Sequence, residues 1–256
     1  MEKKGKGDKR MIYDTLLIGC GFLSAGYATE KKNTCIVEEH QMCDSAFTLT
    51  VPSFCYSPYV PKTIEGERLF EIFRSLSLFS EKQQNTSAFE CALSKYLLAE
   101  DIRPTLKCRV IEQKKREDGL FEVSVQTNGG LDTLFARKVI DTTPHIVNKQ
   151  MTVLFVSEDY EDVSGTLSTL FPDSSSECAF YDGRYAVHIP IPDEYDENTA
   201  KVYIYKKWNE AGLRAKILYI APLFYGVVSV DALSDLRFKN PIEAFEYGIA
   251  MAKEEE

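Results

Sequence analysis

Residues 14 to 39, DTLLIGCGFLSAGYATEKKNTCIVEE, constrain the fold more than any other stretch of the chain. A short apolar run closes on two glycines one residue apart, a helical segment follows, and a second apolar run ends in two glutamates. Both apolar runs have the composition of buried parallel strands, so the order predicts a βαβ unit. A phosphate approaches main chain only where side chains are absent, and Gly19 and Gly21 clear that space where the first strand turns into the helix. The helix N-terminus adds free N–H groups and about half a positive charge. Ser24 stands where a third small residue lets helix and strand pack closely. Glu38 ends the second strand 19 residues after Gly19, at the distance from which an acid binds the hydroxyls of a ribose. The competing reading is a tight turn and a solvated strand end. Strand, helix, strand and terminal acid in register favour dinucleotide binding.

The remainder of the chain sets the class. With 256 residues and 44% hydrophobic content, it can fill a core without staples. A formal charge of −9 works against a broad nucleic-acid surface, because phosphate neutralisation needs clustered cations. The one basic run, MEKKGKGDKR at residues 1–10, has no apolar core behind it and is expected to be a disordered tail, neither a signal peptide nor an anchor. No apolar run approaches the ~20 residues that span a bilayer, so no membrane partner is expected. Seven cysteines without a CxxC pair fit a reducing cytoplasm. Three scattered histidines give a metal centre little material, and none is expected.

Residues 85–100 place Phe89, Ala92, Leu93, Tyr96 and Leu97 on one helix face, with Thr86 or Ser87 as cap and Glu90 in the capping-box position. Three strand candidates, TLKCRVIEQ, LFEVSVQT and TLFARKVID, form a meander that runs into DTTPH. From residue 151 the sequence turns irregular, followed by strand candidates YAVHIPIP, AKVYIYKKW and AKILYIAP, which predict a second layer or small domain. KNPIEAFEYGIAMAKEEE reads as a terminal helix with Asn240 as N-cap and Pro241 as its first residue.

On these residues the sequence resembles the FAD-dependent oxidoreductases of the two-dinucleotide-binding type. The counterparts of the family's GxGxxG turn, ribose acid, helix and vIDaTG segment are GCGFLS at Gly19 to Ser24, VEE at Glu38, the helix near Glu90, and ARKVIDTTP at Ala136 to Pro144. The fold implied is α/β, an FAD/NAD(P)-binding Rossmann-like parallel sheet with a β-meander, plus a small, mostly antiparallel β substrate domain of α+β character. Residues 11–45, 85–147 and 222–256 then form a discontinuous FAD-binding domain, and 46–84 with 148–221 form the cap. The resemblance implies FAD as cofactor, NAD(P)H as an external reductant, and a small-molecule substrate. It implies cofactor contacts at Gly19, Gly21, Phe22, Leu23, Ser24, Glu38, Glu39, Val110, Asp141, Thr142 and Thr143, with Asp231 of SVDALSD in the role of the ribityl-binding aspartate. The chain departs from the pattern at Pro144, which replaces the glycine of DATG, and at Val230, which replaces the glycine before the aspartate.

If flavin binds, no Ser-His-Asp arrangement is required. Pocket candidates are Cys43 as a reactive thiol, His188 as a proton donor, Tyr203 with Tyr205 as an aromatic wall, and Arg214 for a substrate carboxylate. Each has a commoner structural role: inert buried thiol, hydrogen-bonded core histidine, half-buried sheet surface, and exposed ion-pairing arginine. Two other functions stay open beside the oxidoreductase: a degenerate noncatalytic protein of the same fold that binds a nucleotide or a protein, and an NAD-binding protein without flavin. Pro144 and Val230 favour the first of these; the intact GxG and Glu38 favour the enzyme.

Overall fold

A computed structural model of the chain describes residues 11–43, 46, 48, 59–78, 88–177, 184–228, 233–238 and 240–254. The expected tail at 1–10, Asp231, and the expected caps Thr86 and Ser87 lie outside them.

The first layer is built as the glycine turn requires. Strand β1 (Ile12–Ile18) leads through Gly19–Gly21 into helix α1 (Phe22–Glu30), and β2 (Thr34–Glu38) returns parallel to β1 with Leu17 opposite Ile36. Two helices follow in the described residues, α2 (Ile64–Ser75) and α3 (Phe89–Ala99). Short β3 (Thr105–Leu106) joins β2, and β4 (Arg109–Lys115), β5 (Phe121–Thr127) and β6 (Gly130–Asp141) form the expected meander. Strand β6 inserts parallel beside β1, giving a six-stranded sheet in the order β3-β2-β1-β6-β5-β4.

Side chains alternate across that sheet with the two-residue period of a strand. Leu17, Ile36 and Ile140 pack under the helices, whereas Leu16, Val37, Val123, Val125 and Ala136 fill the opposite face. Terminal helix α6 (Pro241–Lys253) lies against α1 in the first of these cores. Asn240 caps it as expected, its Oδ1 accepting from the Ile242 N–H at 2.8 Å.

A second, five-stranded antiparallel sheet is organised by the long β7 (Ile146–Ser157). β9 (Arg184–Pro190) pairs with one edge of β7 and carries β8 (Ser175–Glu177) beyond it. β10 (Ala215–Ile220) and β11 (Tyr225–Val228) pair with β7 as well. Helices α4 (Tyr160–Leu170) and α5 (Glu197–Glu210) cover this sheet through Val163, Leu167, Ala200, Ile204 and Trp208.

Three expectations change. AKVYIYKKW is helical in α5: Ala200, Ile204 and Trp208 recur every four residues, and the Asp196 carboxylate accepts from the Thr199 N–H at 2.7 Å to start the turn. Its alternating aromatics mimic a strand. The stretch after residue 157, expected to be irregular, holds α4, capped by Asp159. Within the expected cap segment 46–84, α2 puts Leu69 and Phe73 into the core of α1, α3 and α6, so this helix belongs with the first sheet.

A buried acid fixes α2. Glu246 of α6 accepts from the N–H groups of Lys62 at 2.6 Å and Thr63 at 2.7 Å, from the Thr63 hydroxyl at 2.9 Å, and from the Tyr59 hydroxyl at 2.7 Å. The Thr63 oxygen in turn accepts from the Gly66 N–H at 2.9 Å. Glu246→Ala leaves four donors without this acceptor and is expected to lower stability by about 2 kcal/mol. Urea unfolding measures it; a loss within about 0.5 kcal/mol, ordinary for a surface change, would contradict the capping role.

Candidate functional site

The C-terminal ends of β1, β2 and β6 meet at one corner, where the glycine turn, Glu38 and Thr142 converge. Gly19 takes φ +99°, a left-handed conformation that favours glycine, and a Cβ there would meet Thr142 Oγ1 at 2.8 Å. Thr142 ties β6 to the turn: its N–H donates to the Ile18 carbonyl at 2.8 Å, and its hydroxyl lies 2.9 Å from the same oxygen. Ser24 donates to the Gly19 carbonyl at 2.7 Å and sits 2.8 Å from Thr142 Oγ1, so the third small position of the motif holds helix and strand together.

Glu38 points into the turn. One carboxylate oxygen accepts from the Cys20 N–H at 2.8 Å, and the other meets the His40 N–H at 2.9 Å and its Nδ1 at 2.7 Å. Burial pushes its pKa up, but the hydrogen bonds from His40 and the Cys20 backbone outweigh that and leave it lowered. His40 is raised in return, chiefly by its bond to Glu38.

The expected bare main chain at the start of α1 is not open. The carboxylate of Asp235, from a 3₁₀ turn at Asp235–Arg237, accepts from the N–H of Phe22 at 2.6 Å and of Leu23 at 2.8 Å. It occupies the helix N-terminus, whose free N–H groups and dipole favour an anion. Gly21 makes the approach possible, since a Cβ there would lie 2.2 Å from Asp235 Oδ2. Asp235 is 3% exposed, and burial raises its pKa to about 6 against the lowering effect of the two N–H bonds. The cavity left between Gly19, Gly21, Glu38, Thr142, Pro144 and Asp235 is about 20 Å³, room for about one water.

The other expected contacts divide. Thr143 lines the same cavity, while Asp141 beside it is turned to the surface, accepting from the Thr143 N–H at 2.9 Å and lying 3.6 Å from His145 Nε2. Glu39 is exposed and pairs with Arg109 at 3.5 Å. Val110 packs with Leu16 and Val37 in the core on the sheet face away from α1, so it does not line the cavity.

Of the pocket candidates, Cys43 alone is brought to the corner. Its sulfur accepts from the Cys20 thiol, which pulls Cys43 below the usual thiol range and pushes Cys20 well above it; both are buried. His188 is a buried member of β9, its Nδ1 3.0 Å from the hydroxyl of its cross-strand neighbour Thr152. Tyr203 is half-buried in the second core, edge-on to Phe171 and Tyr195, and Tyr205 on the same helix is 47% exposed. Arg214 precedes β10 beside Ser157, at the far end of β7, whose 12 residues cover roughly 36 Å from the corner where that strand begins. The structure therefore does not gather these five residues into one pocket. Asp235 is the residue the sequence reading missed: SVDALSDLRF holds two aspartates four apart, and attention to the first concealed the second.

No protein-family model and no curated protein matches the sequence. Solved structures do. p-Nitrophenol 4-monooxygenase PnpA from Pseudomonas putida DLL-E4 superposes with TM-score 0.55 at 11% identity, over 97% of this chain and 82% of that one. BexE, of BE-7585A biosynthesis, gives 0.54 at 10% identity over 94% and 60%. CabE, an aromatic hydroxylase from angucycline biosynthesis, gives 0.50 at 11% over 84% and 52%. The chain shares the fold of these structures. It spans about half the length of CabE and most of PnpA. In this fold the glycine turn, the acid at the end of β2 and the end of β6 lie together at the C-terminal ends of parallel strands, where an open α/β sheet binds ligands. Among the described residues no helix is long and apolar enough to cross a membrane.

Proposed function

We propose that the chain is an FAD-dependent oxidoreductase acting on a small organic molecule. The observation that carries this is an anion already seated at the α1 N-terminus, on the Phe22 and Leu23 N–H groups, beside two glycines that admit it. A cradle that holds a carboxylate has the donors a pyrophosphate uses. Glu38 supplies the acid for a ribose, provided it exchanges its Cys20 or His40 contact. The fit thus requires one displacement, of Asp235, and one exchange, at Glu38. Bound flavin would supply electron transfer, with NAD(P)H as external reductant; the protein's part is position, electrostatics and water exclusion. Hydroxylase neighbours make an aromatic compound one candidate substrate. The odd number of scattered cysteines, without a CxxC pair, supports a reducing cytoplasm as the chain's setting.

A second reading is favoured by the closure itself. Asp235 and Glu38 satisfy the corner's donors and leave about 20 Å³, against the ~300 Å³ or more of an ordinary ligand pocket. On that reading the fold is retained as a noncatalytic scaffold. FAD titration separates the two. Saturable quenching of flavin fluorescence, with absorption near ~450 nm retained after desalting, is expected for the flavoprotein. Gly19→Val, which sets a side chain against Thr142 at a left-handed φ, and Glu38→Ala are expected to abolish or weaken that retention while unfolding stays cooperative. Identical titrations in wild type and both variants would move the site elsewhere.

A further inference from the structure

We propose that the Asp235 carboxylate is an internal competitor for the phosphate place, one that must leave the α1 N-terminus before a dinucleotide can enter; this rests on the FAD-binding reading above. The two ends of this contact are more than 200 residues apart in sequence, so no local turn geometry accounts for it. Asp235 is placed by a fixed frame. Ser234 caps the 3₁₀ turn, its hydroxyl accepting from the Leu236 N–H at 3.3 Å, and three residues beyond the turn Asn240 starts α6, which is locked against α1. The two N–H groups are freed only when this carboxylate leaves them, by rotation of the Asp235 side chain or by movement of the turn that carries it.

The contact is poised rather than secure. A buried carboxylate has lost its hydration, and its compensation is the helix terminus. Glu38 faces the same corner from β2 and carries a like charge, with Cys20 from the β1–α1 turn also adjacent. Cys43 reaches Asp235's surroundings through Cys20, and His40 through Glu38. A pyrophosphate brings more acceptor oxygens to the same donors, so exchange replaces one anion with another without orphaning the N–H groups.

The test is FAD binding, followed by fluorescence quenching, in the full chain and in Asp235→Ala and Asp235→Asn, with thermal melts confirming that each is folded. Wild type is expected to bind FAD measurably at pH 7.5, and Asp235→Ala roughly tenfold more tightly, the loss of one charge-assisted competitor. Asp235→Asn, which keeps the shape and removes the charge, should fall between. Inorganic pyrophosphate, as a second probe, should raise the melting temperature of Asp235→Ala more than that of wild type. If wild type binds FAD and both variants bind no tighter, or more weakly, Asp235 is a bystander or a ligand of the cofactor and this inference fails alone. If none of the three proteins binds FAD, the dinucleotide reading itself fails and takes the inference with it.

Discussion

Gly26→Val is expected to abolish stable folding, or to lower stability by more than about 4 kcal/mol. Gly26 lies in the middle of α1, where its bare Cα faces α6. A Cβ at that position would lie 1.9 Å from the Phe245 carbonyl oxygen and 2.8 Å from its carbon, both main chain, which cannot rotate away. Gly248 reciprocates from α6, where a Cβ would lie 2.1 Å from the Leu23 carbonyl oxygen. Two helices that meet backbone to backbone on reciprocal glycines have no lateral freedom to absorb a methyl group. Because α6 follows directly on the Asp235 turn and α1 begins at the glycine motif, separating them also dismantles the candidate site. Gly165→Ala is the control: it lies within α4, its Cβ meets nothing within 4 Å, and helix propensity predicts a gain of about 0.5–1 kcal/mol. Chemical unfolding of both variants decides the matter. Gly26→Val melting within about 2 °C of wild type would mean that α1 and α6 do not cross on these residues.

The contrast between these glycines shows which parts of the molecule its sequence makes legible. Gly19, Gly21 and Glu38 announce themselves because the βαβ unit is local: about 25 consecutive residues carry its strands, helix and terminal acid. The meander is legible for the same reason, its strands alternating between polar connections. Gly26 announces nothing, since its reason for being glycine is a helix more than 200 residues later. Helix α1 is buried from Phe22 to Thr29, so no polar face marks its period. Helix α5 fails in the opposite way: its aromatic alternation at Tyr203 and Tyr205 looks like a strand until Ala200, Ile204 and Trp208 are seen on one buried face. The two acids that bind helix termini, Asp235 at α1 and Glu246 at α2, make contacts at sequence separations of 183 to 213 residues. A carboxylate that caps another segment's helix leaves no mark in its own neighbourhood beyond being an acid in an apolar run.

Asp235 also predicts how the protein responds to pH before any ligand is added. Its pKa stands at about 6 in the folded chain against 3.8 in the unfolded one, because burial, with Glu38 adding its charge, outweighs the two backbone hydrogen bonds. A raised folded pKa means that the folded state holds the proton more tightly. The stability it contributes is therefore fully present below the unfolded value and is lost as pH rises through 6, about 3 kcal/mol in total and roughly 1.4 kcal/mol of it between pH 5 and pH 8. His40, raised from 6.5 by Glu38, adds to the same decline as it loses its proton. Glu38, lowered from 4.5, acts the other way and withdraws its support only as the solution becomes acid. Unfolding free energies at half-unit steps from pH 5 to pH 8 should therefore fall in the wild type. Asp235→Asn should flatten most of that slope, and His40→Gln should remove the remainder that Asp235→Asn leaves. A slope unchanged in Asp235→Asn would show that residue 235 is not titrating in the folded protein. The same linkage bears on the competitor role: a proton holds Asp235 in its buried place, so wild-type FAD affinity should rise about tenfold from pH 5 to pH 7.5 once the displaced carboxylate reaches water, and Asp235→Ala should lose that part of the dependence.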